Sequence, residues 1–145
     1  MIYAALDIAN KILAKAFCSD LEELISNMKL QKLLYYQQGF HLAYFGTPLF
    51  NEEIEAWMYG PVVPYIYEHF RPNDNRGIEY SGPVITLSTE EESLFNEVHR
   101  VYGKYSAIGL MEMTHNEMPW KSTPVKVGSV ISKDKMKVFF KKRLK

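Results

Sequence analysis

Apolar positions recur every three or four residues along most of this chain, which is the spacing of helices. Between residues 26 and 45 the pattern thickens. Leu30, Leu33, Leu34, Gln37, Phe40, His41 and Tyr44 form one stripe at i, i+3, i+4 spacing, and Tyr35, Tyr36, Leu42 and Phe45 fill much of the remainder. A helix of about five turns with so little polar surface is enclosed by neighbours rather than laid on a core. Ser26 can cap its start, and Gly46 followed by Thr47-Pro48 stops it. The rest of the chain is expected to wrap this helix.

Residues 2–17 carry Ile2, Leu6, Ala9, Leu13 and Ala16 on one face, a first amphipathic helix, and Ser19-Asp20-Leu21-Glu22 has the capping-box form of a short helical turn. Two successive helices suggest a helix-turn-helix. The gap from Phe17 to Asn27 is too long for that motif's tight turn, and the second helix has too little polar surface to lie in a groove. Beyond Phe50, alternation at 53–58 predicts a strand that Gly60-Pro61 breaks, and Pro64 suits the first turn of a helix to about Phe70. Arg71 to Gly82 reads as a surface loop and 84–87 as a second strand. Ser88-Thr89-Glu90-Glu91 opens a helix to about Tyr102, another runs from Ser106 to about His115, and 127–131 is a third short strand. A last helix from Ser132 sets Met136, Phe139, Phe140 and Leu144 on one face. The sum is an α+β domain, mainly α: a buried central helix at about 27–45 with a small three-stranded antiparallel sheet at one side. All 145 residues are expected in one domain.

A hydrophobic fraction of 47% excludes disorder, and the absence of any run of about 20 apolar residues excludes a helical membrane span. Cys18 is alone, so no intrachain disulfide forms and a reducing cytoplasm is the natural home. Seventeen basic and seventeen acidic residues cancel, which argues against general nucleic-acid or membrane binding. Their distribution is uneven: residues 119–145 hold nine basic side chains against Asp134 alone. Lys141, Lys142 and Arg143 therefore form either a partner-steering patch or an ordinary solvated helix face.

Candidate chemistry is sparse. The histidines, at 41, 69, 99 and 115, lie far apart and have no cysteine cluster beside them, so no metal-ligand spacing exists. No phosphate loop or nucleophile elbow occurs. His115 and Glu117 form an acid–base pair on paper, the basis of a small-hydrolase alternative, but polar residues at a helix end before Pro119-Trp120 more commonly fix that end. His41, on the apolar stripe, reads as a satisfied core histidine. No catalytic residue, metal or cofactor is expected. What remains is an aromatic-rich binding module, with 14% Phe, Trp and Tyr. Trp57, Tyr59, Tyr65 and Tyr67 either edge a binding groove beside the Gly60-Pro61 turn or pack a strand-to-helix corner.

Several stretches also carry a resemblance. Lys29-Leu30-Gln31-Lys32-Leu33-Leu34-Tyr35-Tyr36, Gly46-Thr47-Pro48-Leu49-Phe50, Glu55-Ala56-Trp57, Tyr59-Gly60-Pro61-Val62-Val63-Pro64, and Thr114-His115 with Pro119-Trp120 together resemble the Panacea domain, the SocA-like antitoxin family also described as phage-associated proteins. These motif residues read as structural. The resemblance implies an antitoxin of a bacterial toxin–antitoxin system that neutralises a cognate protein toxin by direct contact. In one branch of the family the protein is instead an adaptor delivering the toxin to an ATP-dependent protease. Some members carry a preceding DNA-binding domain. With the first helix beginning at residue 2, no direct DNA binding is expected here.

Overall fold

The computed structural model describes residues 2–17 and 24–144. Its helices are α1 (Ala5–Phe17), α2 (Asn27–Phe45), α3 (Pro64–Phe70), α4 (Thr89–Tyr102), α5 (Ala107–His115), α6 (Met118–Lys121) and α7 (Lys133–Lys141); its strands are β1 (Glu55–Trp57) and β2 (Gly60–Val62). The class is α+β, mainly α. Among the described residues no helix is long and apolar enough to cross a membrane. The readings placed on Cys18 and on Ser19-Asp20-Leu21-Glu22 lie outside the described residues.

α2 is the hub. Every residue from Lys29 to Ala43 is buried, with α7 and α4 as its most extensive neighbours and α5, β2, α1 and α3 completing the sheath. The Ser26 side chain accepts from Lys29 N, and Gly46, at φ 81°, closes the far end by donating to the Leu42 carbonyl. Tyr44 departs from its expected place on the buried stripe. It is 59% exposed because it sits in the last turn, past the reach of the flanking helices. Against α7 the helix is packed so closely that a Cβ on Gly39 would lie within 2.2 Å of the Phe140 ring. Tyr35, Tyr36, Phe40, Tyr102 and Phe140 form an aromatic cluster there, with Tyr36 stacked on Tyr102 at 4.1 Å between ring centroids.

The polar residues of this buried helix explain how it holds so many elements. Lys29 Nζ donates to the Gly103 carbonyl at the end of α4, and Gln37 Nε2 to the Phe95 carbonyl. Gln38 donates to Phe50 O and accepts from Leu49 N. His41 is held between the Thr47 carbonyl and the Glu91 carboxylate, at 2.6 and 2.7 Å. Each contact gives a buried polar side chain of α2 its hydrogen-bond partner on a neighbouring segment.

The sheet differs from the three strands expected. Gly60-Pro61 does not end the strand structure; it begins β2, which returns antiparallel to β1 through Met58 and Tyr59 with Ala56 opposite Pro61. The proline is tolerated because this is an edge, where its missing N–H leaves no ladder bond unmade. Segment 84–87 is extended but forms no strand. Its polar groups are met by side chains instead: Lys11 Nζ donates to Ile85 O, and Leu87 N donates to Glu92. The third expected strand shrinks to one antiparallel bridge, Glu55 with Val130, flanked by Ala56 N to Ser129 O and Ile131 N to Ile54 O. At the N-terminus residues 2–4 are not helical, since Tyr3 pairs with Phe50 and its N–H donates to Leu49 O. Ser88, Ser106 and Ser132 cap α4, α5 and α7 as their sequences suggest.

Candidate protein-binding groove

The first turns of α2, the β1–β2 hairpin, α3 and the 125–127 segment enclose a groove of about 860 Å³. Its floor is buried and polar. Asn27 donates to the Tyr67 carbonyl, Gln31 donates to Asn27 Oδ1, and Gln31 Oε1 accepts from Val63 N. This amide relay ties the start of α2 to α3 and leaves the floor little freedom. Lys32 lies beside it, 1% exposed, its Nζ donating to Pro61 O at 3.3 Å. Burial pushes its ammonium down from the ordinary 10.5 to about 7. The hairpin comes this close because residue 60 is glycine. At φ 110° it holds a backbone shape that side chains rarely adopt, and a Cβ there would fall 2.6 Å from Lys32 Cε.

The rim is apolar and open. Met58 is 68% exposed, Tyr59 58% and Val127 76%, with Val125 beside them. Trp57 is half-buried, edge-on to Tyr67 at 5.1 Å, its Nε1 donating to Glu55. Among the described residues the charges lining the groove are Lys32, Arg71 and Lys126 against Asp74, so this described lining is net positive.

The structure thus brings Trp57, Tyr59 and Tyr67 to one groove and leaves Tyr65 exposed on α3 outside it. Lys141 and Lys142 are exposed at the end of α7 and do not line it. Arg143 turns inward. It pairs with Glu117 at 3.3 Å, donates to Tyr102 and lies over the Phe139 ring at 4.7 Å. Leu30, Leu33, Tyr35 and Tyr36 are core, and Thr114 is wholly buried, donating to Met111 O.

The paper acid–base pair is not assembled. The Glu117 carboxylate accepts from Tyr35 at 3.0 Å and Tyr36 at 2.8 Å. Desolvation raises its pKa, against the lowering pull of these hydroxyls and of Arg143. His115 is stacked on Trp120 at 4.1 Å, its Nε2 has no hydrogen-bond partner among the described residues, and Trp120 Nε1 donates to Trp57 O. The segment from Thr114 to Trp120 therefore braces α6 against the hairpin and α2. Pro119 lies buried in the first turn of α6.

Sequence reasoning missed Asn27, Gln31 and Lys32 as the groove floor, and Arg71 and Lys126 as its charges. A signal existed for the floor: three polar side chains within the first turns of a helix otherwise buried all round.

Comparison with known families decides the kinship. The family described as Antitoxin SocA-like, Panacea domain matches residues 30–121, well over half of the chain. The chain belongs to the SocA-like antitoxin family. The stretch matched runs from α2 through α6 and so contains the Lys32 floor, the hairpin and α3. A SocA-like relative, Antitoxin SocA of Caulobacter vibrioides (strain NA1000 / CB15N), is 38% identical over 126 residues, covering 78% of this chain. The chain spans 66% of that relative's length. No solved structure matches it.

Proposed function

We propose that this protein is an antitoxin that neutralises a cognate protein toxin by direct, stoichiometric binding, with the groove between α2, the hairpin and α3 as the contact surface. The carrying observation is the open apolar rim of Met58, Tyr59, Val125 and Val127 around a rigid, buried polar floor, in a chain of the SocA-like family. Exposed apolar residues gathered at one groove suit a protein partner. Aromatic side chains there supply large contact area at low entropic cost. Trp57, Tyr59 and Tyr67 are the proposed anchors, and Tyr65 a peripheral contact.

The test is a titration, with this protein, of a purified toxin identified by its toxicity when the protein is absent from the same cells. Protection is expected to rise linearly to one equivalent and to leave the toxin covalently unchanged in a stable complex. Complete protection by a small fraction of an equivalent, with turnover, overturns binding in favour of an enzyme such as the His115/Glu117 hydrolase. Protection in cells that depends on disappearance of the toxin points instead to delivery to an ATP-dependent protease. Tyr59→Ala is expected to weaken the complex at least tenfold, within the range of interface anchors, with the fold unchanged because its side chain is exposed.

A further inference from the structure

We propose that Lys32 is a carboxylate-binding residue: an extended acidic segment of the toxin lies in the groove and sets one Asp or Glu side chain against the Lys32 ammonium. This rests on the toxin-binding reading above and adds the chemistry of the segment recognised.

Geometry and charge carry the inference. The Lys32 ammonium has three donors and one recorded acceptor, the Pro61 carbonyl, at a long 3.3 Å. No described carboxylate pairs with it. Lys11 shows the contrast: although also buried, it has Glu92 at 2.7 Å and the Ile85 carbonyl at 2.9 Å. Lys32 borders the groove one turn above Ser26, Asn27 and Met28, the first residues of a 19-residue helix whose N-terminal end favours an anion. The groups around it are the Pro61 carbonyl and Gly60 from β2, Thr114 from α5 and, along the groove, Arg71, Asp74 and Lys126. Among the described residues that is two further cations against one acid, a lining that attracts negative charge. The rim asks for apolar residues flanking that charge. A partner carboxylate would replace one long hydrogen bond with an ion pair sealed from water by Trp57, Tyr59 and Val127. Because burial lowers the affinity of Lys32 for its proton, docking a carboxylate there draws a proton onto the amine.

The experiment uses the full chain and two acetylated, amidated hexapeptides of Leu and Tyr around a central Glu or, in the control, Gln. Carbon-13 NMR of the lysine side chains follows the Lys32 titration in the free protein and in each mixture. The Glu peptide is expected to raise the Lys32 midpoint by at least one pH unit and to bind at least tenfold tighter than the Gln peptide. Lys32→Met should remove that preference, so that the two peptides bind with equal affinity. Equal binding of the two peptides, or a Lys32 midpoint that does not move, overturns the proposal. A dimer seen by sedimentation and dissolved by Lys32→Met would put a second copy of the chain in the groove and overturn it too. Wild-type binding to the purified toxin is measured alongside. Failure there refutes the toxin-binding reading, while the peptide pair still decides the role of Lys32.

Discussion

Two buried ionisable residues act on stability in opposite directions. Lys32 titrates near 7 in the folded chain and at an ordinary 10.5 when unfolded, so between those values the unfolded chain holds more protons. Its contribution therefore destabilises fully below pH 7, and the deficit fades as pH rises toward 10.5. A shift of this size corresponds to on the order of 5 kcal/mol. Lys32→Met is expected to be more stable than wild type in urea at pH 6, with the advantage shrinking at pH 9. An unstable Lys32→Met at pH 6 would show that the ammonium is structurally required. Glu91 works the other way. Desolvation alone would raise its pKa, but hydrogen bonds from His41, Tyr3 and Ser88 outweigh it and hold the carboxyl at about 2. Its folded value lies below the unfolded one, so its stabilisation is present above about pH 4.5 and is lost as pH falls toward 2. Glu91→Gln should cost roughly 1–3 kcal/mol at pH 7. Urea midpoints of mutant and wild type should converge below pH 3.

Helix packing sets a second kind of constraint, at Gly39. In an isolated helix Gly→Ala is worth up to about 1 kcal/mol in favour of alanine. Here the new methyl would meet the Phe140 ring at 2.2 Å, and overpacking of that kind costs about 1–3 kcal/mol. The clash wins, so Gly39→Ala should destabilise. Adding Phe140→Leu should recover part of the loss in a double-mutant cycle; simple additivity of the two would mean that α2 and α7 do not meet there. On the opposite side of the balance, Leu33→Ala should cost roughly 2–5 kcal/mol, the range for truncating a large core residue. A loss below about 1 kcal/mol would remove α2 from the centre of the fold. The motif residues of α2 are legible in these terms. Lys29, Gln31 and Lys32 reach backbone carbonyls or N–H groups of other elements, and Tyr35 and Tyr36 share the Glu117 carboxylate.

Across the whole molecule the charge is unevenly distributed. The segment from Pro119 onward carries nine basic residues against one acid, and two of them, Lys141 and Lys142, stand free of the core at the end of α7. We propose that they steer an acidic partner toward the groove. Lys141→Glu with Lys142→Glu should slow toxin association several-fold at low salt and leave dissociation unchanged. Association unaltered at low ionic strength would make them an ordinary solvated face. Arg143 is left out of that test because its ion pair with the buried Glu117 makes it part of the core's support.

Sequence alone was enough for the features governed by local spacing and capping. The central helix, its Ser26 and Gly46 ends, the Ser88, Ser106 and Ser132 starts and the Met136, Phe139 and Phe140 face of α7 follow from side chains within a turn or two of each other, while Leu144, expected on that face, lies past the helix end at Lys141. The aromatic residues of the groove were legible as a choice between binding and packing, and Trp57 and Tyr67 pack on each other while lining the groove. Pairing across long separations was decided only in three dimensions. In segment 84–87 the Ile85 carbonyl and the Leu87 N–H are met by Lys11 and Glu92 rather than by a neighbouring strand, and Pro61 entered a strand because its edge needed no donor. The same holds for charge. In sequence Glu117 pairs on paper with His115, yet in the fold two tyrosines from α2 and an arginine from beyond α7 close around it instead. Lys32 is one lysine among many until the hairpin, α5 and α2 exclude water from it, because desolvation belongs to the assembled neighbours rather than to the residue.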